Sequence, residues 1–319
     1  MKDAAPARER DVARATMNDP VLARESDVAL ATMNDRALAR VTVVLVSYNS
    51  AHCWPAQQPT LNQTPHVFIV DNASADDSVA QARQRLPHAR VFSEPINRGF
   101  GAANNRALTE VQTEFVLLLN PDCVVDSRAI VALVDCADRF PAAAAVAPQL
   151  VDARGRLDGS YRMARSQWRS QGPLASATAC VGFLSGACLL VRADAMRRVG
   201  GFDEAFFLYY EDDDLCLRLQ ASAGALLIEP GVQAEHRSRG SVAGPQRYRA
   251  EYLRGFHHIQ SKFRFAHKHG ARLPSMARRT GIAGVALLET ALRLLVLDGK
   301  RAARVWGRVR GVLAWRAPA

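Results

Sequence analysis

The sequence predicts an α/β fold, with an open sheet covered by helices and a helical C-terminal extension. Short apolar runs rich in β-branched residues alternate with segments of helical character, which is typical of right-handed β-α-β units. The 319 residues are 49% hydrophobic and 23% charged, close to globular averages, so a disordered chain is excluded. The predicted strands cover residues 41–47, 66–72, 90–95 and 114–122, and helices are expected within 73–86 and 100–112.

Local sequence supports each of these elements. The run 41–47, VTVVLVS, has the continuous apolar pattern of a parallel strand that is buried on both faces. Ser74 and Asp76 are residue types that cap the N-terminus of a helix, and they precede the helical segment that follows the second strand. Pro55 and Pro59 predict that the helix after the first strand is broken or short, because an interior proline costs about 3 kcal/mol.

Charge and repeats divide the chain into three parts. The first forty residues contain one near-exact repeat, DVARATMND and DVALATMND, and two copies are too few for a solenoid. The net charge of +10 arises near the C-terminus, because residues 237–319 hold 18 basic and three acidic residues. We therefore predict a partly helical or disordered extension at 1–40, an α/β domain at 41–245 and a basic helical region at 246–319.

Targeting and redox signals favour a cytosolic protein. The N-terminus is charged and lacks an apolar run, so no signal peptide is predicted. No stretch of 18 apolar residues occurs, so no membrane-spanning helix is predicted. The six cysteines are scattered and include no CxxC pair, which favours reduced thiols over a disulfide framework or a zinc site.

Polar residues follow each predicted strand, at the edge where ligands bind in open α/β sheets. Asp122 follows the fourth strand, where an aspartate is suited to bind Mg²⁺ or Mn²⁺ together with ligand phosphate oxygens. A turn aspartate after proline is the alternative at this position. The polar strand ends are Ser47–Asn49, Asp71–Asn72, Glu94–Asn97 and Asn120–Asp122.

A dense acidic cluster, Glu211 to Asp214, follows the apolar and aromatic segment 205–210. Burial and like-charge repulsion beside that segment would raise a carboxylate pKa, which suits a catalytic base. An acidic helix start is the alternative, since Asp and Glu are common there. His236 is a candidate metal ligand if the fold brings it near Asp122, and otherwise a packed or solvated histidine.

Six sequence blocks resemble the inverting family 2 glycosyltransferases with the GT-A fold, and among these the rhamnosyltransferase-like branch. The resemblance extends over residues 41–245 and implies a Rossmann-like open mixed sheet that binds a nucleotide-diphospho-sugar. The blocks are VTVVLVSYNS, VFIVDNASADDS, INRGFGAANNRAL, FVLLLNPDCVVD, GFLSGACLLVR and VGGFDEAFFLYYEDDDLCLRL.

The resemblance also implies roles for individual residues. The DxD element of the family, which holds the metal on the diphosphate, is here NPD, so Asp122 would bind Mg²⁺ or Mn²⁺ with His236. Asp212 is implied as the catalytic base, with Glu211 beside it. The implied nucleotide-sugar ligands are Ser47, Tyr48, Asn49, Asp71, Asn97, Gly99, Asn104 and Asn120. The implied acceptor-side positions are Ser185, Gly186 and Asp214.

The implied reaction is sugar transfer in cell-surface polysaccharide or O-antigen synthesis. L-rhamnose from dTDP-L-rhamnose is the expected donor, and a saccharide or polyprenyl-diphosphate-linked hydroxyl is the expected acceptor. Two alternatives stay open: another hexosyl or galactofuranosyl transferase that uses a UDP-sugar, and a non-catalytic nucleotide-sugar-binding protein.

The basic C-terminal region predicts contact with an anionic membrane surface. Residues 300–316 have the pattern of a basic amphipathic helix, with Trp306 and Trp315 on it. A solvated helix packed on the catalytic domain is the alternative. No nucleic acid partner is expected, because the sequence has no helix-turn-helix, RNP-type block or zinc finger. We therefore expect a cytoplasmic protein that is peripheral at the inner face of the cell membrane.

Overall fold

The computed structural model describes residues 31–163, 175–237, 240, 247–270, 273, 275–295 and 297–317. The first copy of the repeat and the start of the second lie outside the described residues. Residues 31–39 are helical, and Leu38 of this segment packs in the core beneath the sheet.

A mixed sheet of nine strands forms the centre of the described structure, in the order β3-β2-β1-β4-β10-β6-β11-β5, with β8 paired to β11. All four predicted strands are confirmed. A separate two-stranded sheet pairs β7 with β9. The strands are β1 (Val41–Ser47), β2 (His66–Asp71), β3 (Arg90–Ser93), β4 (Phe115–Leu119), β5 (Cys123–Val124), β6 (Ala143–Val151), β7 (Tyr161–Arg162), β8 (Ala179–Cys180), β9 (Phe183–Leu184), β10 (Cys188–Arg192) and β11 (Ala225–His236).

Helices connect and cover these strands. A short 3₁₀ turn, Ala51–Cys53, leads into α1, where Pro55 lies in the first turn and needs no N–H partner. Pro59 lies inside α1, which is eight residues long and therefore short, as expected. The helices are α1 (Trp54–Leu61), α2 (Ser78–Arg85), α3 (Phe100–Leu108), α4 (Ser127–Arg139), α5 (Ala193–Arg198), α6 (Glu211–Ser222), α7 (Arg247–Lys268), α8 (Met276–Leu295) and α9 (Gly299–Ala314).

Strand register brings the polar strand ends together. Strands β2 and β4 flank β1 and run parallel to it, so Ser47 lies opposite Asp71 at one edge. Strand β10 runs antiparallel to β4 and places Cys188 opposite Leu119, so the residues before β10 reach the same edge. Apolar side chains on both faces of the sheet form two buried clusters, as the continuous apolar runs require.

The last three helices pack against one another and against the α/β domain. Helix α9 lies against α7 at close range, because a Cβ on Gly255 would stand 1.9 Å from the carbonyl oxygen of Arg304. The helix predicted at 300–316 is confirmed, but Val305 and Val309 on its apolar side are buried in this packing. Trp315 is also buried, edge-on to Phe263. None of the helices in the described ranges is long and apolar enough to cross a bilayer.

Candidate active site

The ends of β1 and β2 present two buried polar atoms side by side. Ser47 and Asp71 are paired in register, and both side chains are buried. One oxygen of Asp71 accepts a hydrogen bond from the Ser74 backbone N–H at 3.0 Å. Within the described part of the chain, the other Asp71 oxygen, Oδ1, and the Ser47 hydroxyl have no hydrogen-bond partner. Buried polar atoms of this kind require a partner, so this strand edge is suited to bind a polar ligand.

The turn after β1 is held by side chains of the turn after β2. Asn49 adopts a left-handed backbone conformation, with φ of 54°. Its side-chain oxygen accepts from Ala75 N at 2.7 Å, and its backbone N–H donates to the Ser74 hydroxyl at 2.9 Å. The backbone N–H of Tyr48 donates to Ser50 Oγ at 3.2 Å. These bonds fix Tyr48 and Asn49 beside Ser47 and Asp71, as the sequence predicted for neighbouring strand ends.

Asn72 joins the same edge to the loop before α3. Its amide nitrogen donates to the side-chain oxygen of Asn97 at 3.0 Å and to the backbone oxygen of Gly99 at 3.1 Å. Gly99 has φ of 91°, and a Cβ at this position would stand 2.3 Å from the Phe207 carbonyl oxygen. Asn104 lies in α3, buried, and donates to the backbone oxygen of Phe100 at 2.9 Å. Only a glycine allows the loop to approach the 207 segment this closely.

The turn after β4 is clamped by Gln57 of α1. The Gln57 amide nitrogen donates to the backbone oxygens of Pro121 at 2.8 Å and Cys123 at 2.7 Å, with the Asn120 oxygen at 3.4 Å. These bonds fix the backbone on both sides of Asp122. Sequence analysis missed Gln57, because a lone glutamine in a proline-containing segment carries no recognisable pattern.

Asp122 and His236 lie together, as the metal hypothesis requires. His236 is paired in register with Cys123 across β11 and β5, which places its Nε2 3.8 Å from Oδ1 of Asp122. The other ring nitrogen lies 3.5 Å from Oδ2 of Asp158. Asp122 Oδ2 accepts from the Gly240 backbone N–H at 2.8 Å.

These groups fit a hard divalent cation. Asp122 is 5% exposed, and its Oδ1 has no hydrogen-bond partner among the described residues. Two adjacent ligand atoms, each about 2.1 Å from one octahedral ion, lie about 3 Å apart, so the side chains of Asp122 and His236, now 3.8 Å apart, would approach slightly to hold one ion. The described residues contain no group of three His, Cys, Asp or Glu side chains that could hold a metal. A cation here would therefore need further oxygen ligands from a bound molecule.

Asp212 lies at the first turn of α6, facing the residues before β10. Its Oδ2 accepts from the Gly186 backbone N–H at 3.3 Å, and its Oδ1 accepts from Asp213 N at 3.0 Å. A Cβ on Gly186 would stand 3.5 Å from the Asp212 Cβ, an ordinary van der Waals distance, so this loop passes directly beside the Asp212 side chain. Ser185 precedes this glycine, and its backbone N–H donates to the Ser160 carbonyl at 2.9 Å.

Burial raises the pKa values of three carboxyl groups in the acidic cluster, those of Glu211, Asp212 and Asp213. For Asp212, burial is the largest cause and raises the pKa. The hydrogen bonds from the Gly186 and Asp213 backbone N–H groups lower this pKa and partly offset the effect of burial. Burial followed by the charge of Asp212 raises the pKa of Asp213 to about 7. The pKa of Glu211 is raised well above its usual range by burial and by the same neighbour. The helix start thus contains carboxylates with unequal proton affinities, which is a property of acid–base sites.

Arg162 on β7 is the cation paired with Asp213 in this cluster. It forms an ion pair with Asp213, and its guanidinium lies 3.7 Å from the centre of the Phe183 ring. Its charge favours the ionised forms of Asp212 and Asp213, against the effect of burial. Sequence analysis missed Arg162 as well, because β7 is only two residues long and lies far from the acidic cluster in sequence.

Two tyrosines before α6 adopt an unusual backbone conformation. Tyr209 and Tyr210 have φ of 67° and 69°, in the left-handed region that bulky residues rarely adopt. Helix α7 supports this segment, because the Ser261 hydroxyl donates to the Leu208 carbonyl at 2.9 Å and the His258 ring packs against both tyrosines. Such strain occurs at functional sites, where the surroundings hold it.

Asp214 lies behind the cluster and is fully buried. Its Oδ2 accepts from Arg218 Nε at 2.7 Å, and its Oδ1 lies 2.7 Å from Lys268 Nζ and 2.9 Å from His269 Nε2. Both oxygens are therefore engaged by protein cations. This network links α6 to the end of α7.

Two hydrogen bonds connect the Asp122 turn to Asp212. The Asn120 backbone N–H donates to the Ala187 carbonyl at 2.9 Å, and the adjacent Gly186 N–H donates to Asp212. The NPD turn and the acidic cluster thus share the short loop before β10. The structure brings these two acidic centres to one edge of the sheet, next to the Ser47 and Asp71 strand ends.

The chain is similar to known proteins in both sequence and structure. The family model for glycosyl transferase family 2 matches residues 42–200. The chain is 32% identical to the N-acetylglucosaminyl-diphospho-decaprenol L-rhamnosyltransferase of Mycobacterium tuberculosis, over 55% of this chain and 67% of the relative. It is 35% identical to the rhamnosyltransferase WbbL of Escherichia coli, over 27% of this chain and 30% of the relative.

Solved structures with the same fold include a mannosyltransferase, PcManGT from Pyrobaculum calidifontis, in complex with GDP-Man and Mn²⁺. Its TM-score is 0.53 at 19% identity, covering 86% of this chain and 87% of that one. GalNAc-T7 with UDP, GalNAc and Mn²⁺ has a TM-score of 0.50 at 13% identity, over 72% of this chain. The chain spans about half, 47%, of the length of GalNAc-T7. At these identities the likeness concerns the fold.

Proposed function

The chain belongs to glycosyl transferase family 2 and has the GT-A fold, and on that premise we propose that it transfers L-rhamnose from dTDP-L-rhamnose with inversion. The observation that carries the proposal is the meeting of two acidic centres at one sheet edge. Asp122 lies with His236 on one side, and Asp212 lies across the 186–187 loop on the other. An inverting transfer forms no covalent intermediate, so neither carboxylate needs to act as a nucleophile. One carboxylate can hold the metal on the diphosphate, and the other can accept the proton of the acceptor hydroxyl.

We assign the nucleotide to the edge formed by β1, β2 and the loop before α3. The Ser47 hydroxyl and Asp71 Oδ1, which have no hydrogen-bond partner among the described residues, are suited to hydrogen-bond polar groups of the nucleotide. We assign six further residues to the nucleotide-sugar site, because they lie near these two residues or match nucleotide-binding positions of the family. They are Tyr48, Asn49, Asn97, Gly99, Asn104 and Asn120.

We assign Mg²⁺ or Mn²⁺ to Asp122 and His236, with the donor diphosphate supplying further oxygens. Two solved structures with this fold contain Mn²⁺ and a nucleotide or nucleotide-sugar, which supports a divalent ion. Such an ion, when bound, neutralises the charge that develops on the leaving diphosphate. The role of the protein is to hold the Asp122 carboxylate in place, through Gln57 on the adjacent backbone and Gly240 on Oδ2.

We assign the proton transfer to Asp212. Its carboxylate accepts the proton of the acceptor hydroxyl as that oxygen bonds to the anomeric carbon, and the bond from this carbon to the diphosphate oxygen breaks with its electron pair. A positioned base contributes roughly 10²–10⁴-fold to such a step. The raised pKa of Asp212 makes it a stronger base than an ordinary aspartate, and the Gly186 N–H orients it. Ser185 and Gly186 would face the acceptor, as the family blocks imply, and Glu211 would lie beside the base. Asp214 was expected on the acceptor side as well, but it is fully buried with both oxygens bound by Arg218 and Lys268, so we assign it a supporting role behind the site.

We propose a polyprenyl-diphosphate-linked saccharide as the acceptor. The name of the mycobacterial relative describes a decaprenol-diphosphate acceptor, and this supports a lipid-linked substrate here. An acceptor of this kind lies in a bilayer, so the protein would work as a peripheral protein at the inner face of the cell membrane. The basic C-terminal region would meet the anionic surface.

The test is product analysis of the full-length protein with a panel of dTDP-, UDP- and GDP-sugars and a short-chain prenyl-diphosphate saccharide. We expect a metal-dependent product only from dTDP-L-rhamnose, with the anomeric configuration inverted relative to the donor. Turnover with a UDP-hexose or UDP-galactofuranose instead would refute rhamnose as the donor. A nucleotide-sugar that binds but is never consumed, with every acceptor tried, would refute the transferase function itself.

A further inference from the structure

Helix α8 has an apolar surface on its outer side. Every exposed residue between 281 and 295 is Gly, Ala, Val or Leu. The larger side chains are well exposed, with Val285 at 70%, Leu288 at 64% and Leu295 at 79%. Leu297 follows at 92%. A contiguous surface of this kind marks an interaction site, because a surface helix normally turns its polar side to water. We call it the α8 apolar face; Leu287, Leu292 and Leu294 complete it.

The polar residues between 281 and 295 lie away from this face. Glu289 and Arg293 are half-buried and lie 3.5 Å apart, and the Thr290 hydroxyl donates to the Ala286 carbonyl within the helix at 2.8 Å. Ala286 is buried against Val305 of α9. Between residues 281 and 295, the side of α8 that packs on the protein therefore holds the charged and hydroxyl groups, and the exposed side holds none.

Exposed basic residues occur in the first turn of α8 and along the neighbouring helix α9, close in the fold to the α8 apolar face. Residues 276–317 contain nine Lys and Arg and two Asp and Glu. The neighbouring helix α9 exposes two more large apolar side chains, Trp306 at 42% and Leu313 at 64%. An uncharged apolar face beside a cationic surface matches the two layers of an anionic membrane surface, its acyl boundary and its headgroups. The exposed basic residues of the two helices are Arg278, Lys300, Arg301 and Arg310, and Arg316 follows directly after α9.

We propose that the α8 apolar face inserts into the headgroup region of an anionic bilayer, with α8 lying in the plane of the membrane. The inference rests on the proposed function, which places the acceptor in a membrane, and it names the surface that reaches it. The fifteen residues from 281 to 295 extend about 22 Å, a length suited to lying on a bilayer. The docking element is thus α8 rather than the apolar side of α9, which packs inside the protein.

The test is co-sedimentation of the full-length protein with vesicles of phosphatidylcholine and phosphatidylglycerol at a ratio of 7 to 3, and with pure phosphatidylcholine. Wild type should bind the anionic vesicles and bind the neutral ones at least about tenfold more weakly. The double variant Leu288→Glu/Leu295→Glu should bind the anionic vesicles at least about tenfold more weakly than wild type. The matched control Met33→Glu/Phe140→Glu adds the same charges at exposed apolar positions outside the face, and should bind within about twofold of wild type.

Three results would overturn the proposal. One is wild type that does not bind anionic vesicles, and another is a Leu288→Glu/Leu295→Glu variant that binds as wild type does. The third is that wild type is a dimer, the variant is a monomer, and both bind vesicles equally. The α8 apolar face would then join two copies of the chain. Transfer to a water-soluble acceptor separates the two hypotheses. The rate of transfer to this acceptor should be equal in wild type and variant. If neither transfers sugar while wild type still binds vesicles, the proposed function is refuted and the membrane proposal is not.

Discussion

His236 Nε2 lies 3.8 Å from Asp122 Oδ1, because β11 and β5 pair His236 directly with Cys123. Neither residue is a distinctive ligand by sequence alone. The short β5 strand thus builds the candidate metal site by holding two distant segments in one register.

Asp122→Ala should abolish metal-dependent donor binding. The substitution removes the carboxylate, including Oδ1, which has no hydrogen-bond partner in the described part of the chain. Nucleotide affinity in Mn²⁺ should therefore fall to the level measured in EDTA. His236→Ala should cause a smaller loss, because one carboxylate remains to hold the ion. Isothermal titration of dTDP with and without Mn²⁺ measures both effects, and Asp135→Ala on the exposed side of α4 is the matched control. A metal-dependent gain in affinity that persists in Asp122→Ala would contradict the assignment.

Asp212→Asn should retain donor binding and lose transfer. Asparagine keeps an oxygen that can accept from Gly186 N–H, but it cannot take a proton, so kcat should fall by roughly 10²–10⁴-fold. Asp213→Asn makes the same chemical change one residue later, in a side chain engaged by Arg162, and should have a smaller effect on kcat. Initial rates measure kcat, and nucleotide titration measures donor binding. Equal losses in both variants would mean that the charge of the cluster matters rather than the base at residue 212.

Glu211→Gln should reduce the dependence of stability on pH. The pKa of Glu211 is raised by burial in the folded state, so between pH 5 and pH 8 the folded state binds this proton more tightly than the unfolded state does. The free energy of unfolding therefore decreases as pH rises through this range, and a neutral glutamine removes this contribution. Urea unfolding at both pH values measures the difference. Glu110→Gln, at a surface ion pair, should leave the wild-type pH dependence unchanged, and an equal dependence in Glu211→Gln would contradict the idea.

The sequence was informative where a local pattern marks the strand ends. Strand β1 was predicted with its observed bounds, since VTVVLVS is apolar throughout and ends in polar residues. The parallel order then places Ser47 beside Asp71 without further information. Asp122 and His236 meet only because a two-residue strand pairs with a long one, which no apolar run predicts.

Other features depend on partners that sequence periodicity does not identify. The apolar side of the helix at 299–314 is visible in the sequence, but its partners, α7 and α8, are not. We therefore expected Trp315 at a membrane, whereas it packs on Phe263. Gln57 and Arg162 act through the backbone of Pro121 and through the carboxylate of Asp213, so their functions become visible only in the folded chain.

Asp214→Asn should destabilise the protein by about 3–5 kcal/mol. The substitution leaves Arg218, Lys268 and His269 around a neutral amide, and removing one member of a buried ionic network costs energy in that range. Chemical unfolding measures the change. Asp194→Asn is the matched control, because its exposed pair with Arg198 should contribute less than about 1 kcal/mol. A similar small effect for both would show that the link between α6 and α7 does not stabilise the fold.

Gly99→Ala should destabilise the protein more than Gly155→Ala. Both glycines have left-handed backbones, with φ of 91° and 71°, so a Cβ costs about 1–2 kcal/mol at either. A Cβ at residue 99 would also stand 2.3 Å from the Phe207 carbonyl oxygen, whereas at residue 155 it meets open space. The extra crowding should add about 1–3 kcal/mol in urea unfolding. It should also displace the 207 segment and reduce transfer. Equal stabilities of the two variants would mean that the loop before α3 can move away from Phe207, and that their close packing does not position the catalytic segment.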